Sequence, residues 1–80
     1  MDKPDVSKIY GKVTFVEHFA DYKVQIVENF ADLNVKLVEN FAGSVGEWEV
    51  VEHFPDFKIQ IVKNFPDFKI KIVENFPGLP

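Results

Sequence analysis

An eleven-residue segment, written six times in succession, constrains this chain more than anything else in it. The copies are KVTFVEHFADY (Lys12–Tyr22), KVQIVENFADL (Lys23–Leu33), NVKLVENFAGS (Asn34–Ser44), EWEVVEHFPDF (Glu47–Phe57), KIQIVKNFPDF (Lys58–Phe68) and KIKIVENFPGL (Lys69–Leu79). One phenylalanine keeps the period, at Phe19, Phe30, Phe41, Phe54, Phe65 and Phe76; every step is eleven residues except the thirteen between Phe41 and Phe54. A fixed period of this kind makes each copy one structural unit that buries its apolar face against other copies.

The two extra residues, near Ser44–Gly46, divide the copies into two sets of three. Each set opens on a Gly-led copy ending in EHF (Gly11 to Phe19, Gly46 to Phe54), and each closes on a copy with Gly in place of the turn Asp (Gly43, Gly78). Ala follows the phenylalanine in the first set (Ala20, Ala31, Ala42) and Pro in the second (Pro55, Pro66, Pro77). A three-copy unit is duplicated, with halves 11–45 and 46–80 inside a single domain spanning residues 8–80. Residues 1–7, polar with one proline, are expected to form a flexible tail.

Each copy reads as strand, then turn. KVQIV, KIQIV and KIKIV alternate polar and apolar residues at period two, and the apolar ones are β-branched. The alternation sends Val13, Phe15, Val24, Ile26, Val35, Leu37, Trp48, Val50, Ile59, Ile61, Ile70 and Ile72 inward. It sends Lys12, Thr14, Lys23, Gln25, Asn34, Lys36, Glu49, Lys58, Gln60, Lys69 and Lys71 to water. An unvarying valine (Val16, Val27, Val38, Val51, Val62, Val73) then breaks the pattern, and a bend or bulge there would return it to the core. In the E-N-F-[AP]-D segment that follows, Asn and Asp are expected to bond their own turn backbone, and Pro fixes φ at the corner. The phenylalanine is too apolar for a plain loop and is expected to fold back as a core plug. Eleven-residue periods also occur in amphipathic helices, but prolines at this spacing would break each helix. The pattern alone leaves a β-solenoid and a small closed barrel open.

Composition narrows function mainly by exclusion. Eighty residues suffice for one small domain of modest core. With no Cys there is no disulfide and no thiolate metal site. There is no Arg, and the net charge is −4, so the clustered cations that grip a phosphate backbone are missing and no nucleic-acid partner is expected. No apolar run reaches membrane-spanning length, and MDKPDVSK does not read as a signal peptide.

The residues able to carry chemistry are few. His18 and His53 hold equivalent places in the two halves and could bind a metal with Glu17 and Glu52, or switch with pH. They fill the slot of Asn29, Asn40, Asn64 and Asn75, however, which favours a turn side chain bonded to backbone. Glu17, Glu28, Glu39, Glu52 and Glu74, with Asp21, Asp32, Asp56 and Asp67, form two sets of carboxylates at repeat spacing that could hold a hard cation. Lys63 interrupts the first set, and solvated turns account for both. Ser7 and Ser44 have no histidine near them in sequence, and no glycine-rich phosphate loop is present. Trp48, in a slot otherwise held by Val or Ile, reads as a core anchor. No catalytic, cofactor-binding or metal residue is assigned.

The [KN]-[VI]-x-[FIL]-V strands, the Ala20-Asp21, Ala31-Asp32, Pro55-Asp56 and Pro66-Asp67 steps, and Gly43-Ser44-Val45-Gly46-Glu47-Trp48 at the centre resemble the septoil knot family, small bacterial domains whose backbone forms a seven-crossing torus knot. The resemblance runs from about Ile9 to Leu79. It implies an all-β domain with one apolar core, two interleaved circuits of three repeats, a deep knot and no assigned activity. The expectation is a monomeric structural or interaction domain and not an enzyme. The alternative is a module binding a ligand, cation or partner through the acidic turns or an exposed strand edge.

Overall fold

In the computed structural model, which describes residues 4–80, six strands close into one barrel. They are β1 (Gly11–Phe15), β2 (Tyr22–Ile26), β3 (Leu33–Val38), β4 (Glu47–Val50), β5 (Phe57–Ile61) and β6 (Phe68–Ile72). Around the barrel they run β1-β4-β3-β6-β2-β5, and every pairing is parallel. First-half and second-half strands therefore alternate without exception, which is the interleaving expected of two circuits. Of the open alternatives, the structure takes the closed barrel and excludes the solenoid, whose repeats would pair with their sequence neighbours.

Parallel strands ordinarily need a crossover of a dozen residues or more. Here six residues, 16–21, join β1 to β2. The register explains how. Phe15 lies opposite Ile59, and Ile59 lies opposite Tyr22, so the end of β1 and the start of β2 flank the same residue of β5. Two strand spacings, roughly 10 Å, separate them. The same line recurs as Ile26–Ile70–Leu33, Val50–Val13–Phe57 and Ile61–Val24–Phe68. Every interface steps the register by two residues, a large shear for six strands, which tilts them steeply. The chain moves the same way round the barrel throughout, stepping over one strand each time. Between β3 and β4 it moves only to the adjacent strand, where Leu37 sits directly opposite Trp48. That single short step carries the chain from the first set of strands into the gaps of the second. It coincides with the two-residue insertion.

Equivalent positions of the six repeats lie at equal height, so inward side chains form layers. Val13, Val24, Val35, Trp48, Ile59 and Ile70 make the middle layer, at most 1% exposed. Below it lie Leu33 and Phe68, buried, and Tyr22 and Phe57, half-buried. These four residues close one repeat while opening the next strand. The alternation read from each lysine did not assign them to the core. Gly11 holds the same position, opposite Trp48 in register, and a Cβ there would strike the Asp56 carboxylate. Trp48 Nε1 donates to the buried Ile9 carbonyl at 2.9 Å, so the ring's one polar atom is satisfied. The tail residues Met1–Lys3 lie outside the described residues. Asp5 caps a 3-10 turn at Val6–Lys8, and Val6 and Ile9 pack on the core.

The upper layer departs from expectation. Phe15, Ile26, Leu37, Val50, Ile61 and Ile72 were expected inside, yet each is 41–50% exposed. They follow the alternation, but they stand at the ends of their strands or one residue short of it, and the barrel has no layer above them to cover them. The valine expected in a bulge makes none. The amides of Val16, Val27, Val51, Val62 and Val73 donate to Ile59, Ile70, Val13, Val24 and Val35, extending the ladder by one bond, and the side chains are half-buried.

Candidate functional site

The turns carry the distinctive chemistry. After Val16 donates to the Ile59 carbonyl, Asp21 donates to the adjacent carbonyl of Lys58. Both ends of Glu17–Ala20 are thus pinned to neighbouring residues of β5, and the four residues between must protrude from the barrel wall. The pairs Val27/Asp32 on β6, Val51/Asp56 on β1, Val62/Asp67 on β2 and Val73/Gly78 on β3 repeat the arrangement. The Phe41 loop differs: the Gly43 amide turns back to the Phe41 carbonyl at 2.8 Å.

The aspartates were expected to bond their own turns; instead they bond another repeat. The amides of Lys58, Lys69, Lys12 and Lys23 donate to Oδ2 of Asp21, Asp32, Asp56 and Asp67 at 2.8, 2.9, 3.0 and 2.7 Å. Each carboxylate also receives a partner across the halves, 37 or 44 residues away. Gly78 does the same job with backbone alone, exchanging two 2.8 Å bonds with Asn34. At that crossing a Cβ on Gly46 would strike the Gly78 nitrogen and the Asn34 carbonyl, so only glycine fits.

The loop tips overturn the plug expectation. Phe19, Phe30, Phe41, Phe54, Phe65 and Phe76 are 91–95% exposed. All six also have positive φ, from 56° to 61°. That is the left-handed region, which costs a residue with a Cβ about 1–2 kcal/mol. Glycine or asparagine would relieve it, and an asparagine stands one residue earlier in four loops. His18 and His53 are exposed and set against Phe19 and Phe54, with ring centroids 6.4 Å apart in both. Their loops hang from β5 and β1, which are neighbours in the barrel. Among the described residues no group of three or more His, Cys, Asp or Glu is placed to hold a metal. Closure leaves no unpaired strand edge among β1–β6, which removes the strand-edge docking alternative. No helix of the described residues is long and apolar enough to cross a membrane.

Fold and loops together define a class: a parallel six-stranded barrel of two interlaced halves, with a phenylalanine-tipped loop on each repeat. The chain belongs to the septoil knot family; residues 6–80 match the 7(1) septoil knot domain. That is a domain of unknown function, and the match covers nearly the whole chain. No curated protein matches the chain.

Proposed function

We propose that the domain is a non-enzymatic interaction module that presents phenylalanine anchors to a protein partner. One observation carries the reading: six phenylalanines are more than 90% exposed and hold left-handed backbone. They contribute no burial to the barrel. Together their strain is comparable to the entire net stability of an ordinary domain, roughly 5–15 kcal/mol. Backbone strain retained at exposed positions points to use outside the fold. A phenylalanine side chain moved from water into a partner's pocket gains about 1.5–3 kcal/mol, enough to make it an anchor. The aspartates hold the loops in place and are taken up by amides. The module acts as a monomer, since a surface of net charge −4 opposes its own copies.

The test is a chain with all six phenylalanines changed to Asn, measured by thermal and urea unfolding. Asn tolerates positive φ, so the barrel is expected to be as stable as the parent or more so. Loss of cooperative unfolding in this variant would show that the phenylalanines serve the fold, and the reading would be withdrawn.

A further inference from the structure

We infer that the loops are separate, equivalent docking points, each made for an apolar pocket with a cationic rim, so that one barrel engages several such pockets at once. The inference rests on the interaction reading above and names the chemistry of the partner.

Equivalence comes from the fold. The six tips share a left-handed φ and one degree of exposure. Separation comes from the pinning. Five loops hang from five different strands, β5, β6, β1, β2 and β3, spread round a closed barrel. Their anchors do not form a single patch, so a pocket that takes one phenylalanine leaves the others free. Linked sites of this kind gain avidity whenever a partner carries more than one pocket.

Charge supplies the rim. Two residues before the phenylalanine stands Glu17, Glu28, Glu39, Glu52 or Glu74, all exposed. Five of the six anchors therefore arrive beside a carboxylate, and complementary potential across an interface requires cations on the other side. The sixth loop is a control built into the chain: Lys63 precedes Phe65 at the same spacing. Phe65 has the geometry of the others, φ 56° and 93% exposure, with the opposite neighbouring charge. An anionic lipid surface is disfavoured by the same five carboxylates.

A small host molecule reproduces this pocket. Per-amino-β-cyclodextrin has an apolar cavity rimmed by ammonium groups, and unmodified β-cyclodextrin has a similar cavity without charge. Titration of the intact chain with each, followed at the amides of the six loops by NMR at low salt, reads every site separately. The expected result with the cationic host is binding at all six loops, with Phe65 weakest by roughly two- to fivefold, the range of a single exposed charge pair. With the neutral host Phe65 is expected to match the rest. Phe30→Asn and Phe65→Asn should each remove one site and leave the other five unchanged. Saturation at one host per chain, loss of several sites on a single substitution, or a Phe65 loop that binds the cationic host as tightly as the others would overturn the inference. Those outcomes leave the stability of the six-Asn chain untouched, so failure here is distinct from failure of the interaction reading.

Discussion

The Lys58 amide donates to Asp21 Oδ2 at 2.8 Å while the Asp21 amide donates to the Lys58 carbonyl at the same distance. The two residues hold each other by main chain and side chain at once. The bond joins the first half of the protein to the second, and Asp56 and Lys12 return it in the opposite sense. These clamps are what turn a loop with little packing into a fixed platform for its phenylalanine.

Removing one carboxylate tests the clamp. Asp21→Ala leaves the Lys58 amide exposed to water rather than buried, so the loss is expected near the ordinary value for one hydrogen bond, about 1 kcal/mol. Asp21→Asn retains an acceptor and should lose less. Urea unfolding of the two variants gives the comparison. An Ala variant indistinguishable from the parent would show that the loop is fixed by its backbone bonds alone.

Trp48 tests the core. It is fully buried, and its indole bonds a buried carbonyl. Trp48→Ala is expected to lose about 3–5 kcal/mol. Trp48→Phe keeps most of the volume but leaves the Ile9 carbonyl without its donor, with an expected loss of about 1–3 kcal/mol. Denaturant midpoints for both decide it; a Trp48→Phe variant as stable as the parent would mean that the hydrogen bond contributes nothing beyond packing.

Trp48 was legible from the sequence, as were the six strands, the duplication and the middle layer, because all of these follow from a period and an alternation. The upper layer was not. Phe15 and Ile26 obey the same alternation as Val13 and Val24, and only the length of the barrel separates buried from half-exposed. The aspartate clamps were hidden because the partner of Asp21 depends on register between strands 37 residues apart. The exposed tips were misread for a physical reason: an apolar residue in a turn ordinarily folds inward, and φ cannot be read from residue type when the residue is not glycine. The neighbouring Asn29, Asn40, Asn64 and Asn75 pointed to left-handed backbone in the right loops, one residue early.

Acid should release the cap of the N-terminal turn. The Ser7 hydroxyl and the Ser7 amide both donate to Asp5, with Lys8 adding its charge, and they hold the Asp5 carboxyl below its ordinary value of 3.8. A folded-state pKa below the unfolded one means that the cap supports the turn above the unfolded value and is lost as pH falls through the folded one. Titration followed at the Asp5 side-chain carbon should show a midpoint under 3.8, and Ser7→Ala should move it upward. A midpoint unchanged by Ser7→Ala would remove the cap from the account.

The interlacing of the halves makes the strongest demand. In the barrel order β1-β4-β3-β6-β2-β5, both neighbours of every strand come from the other half. Met1–Val45 alone would keep β1, β2 and β3 with no strand paired to another. Val13, Val24, Val35 and Leu33 would lose the walls they bury against, and the Asp21 and Asp32 carboxylates would lose both lysine amides. Ordering the backbone costs roughly 1–2 kcal/mol per residue, and an unpaired half has neither ladder nor core to offset it. Neither Met1–Val45 nor Gly46–Pro80 is expected to fold alone, whereas mixing the two should restore the barrel at sufficient concentration. The intact chain should refold slowly, since its pairings are non-local, and a chain threaded as the family's seven-crossing knot would refold more slowly still. Dispersed amide spectra from either isolated, monomeric half would break the link between interleaved strand order and stability.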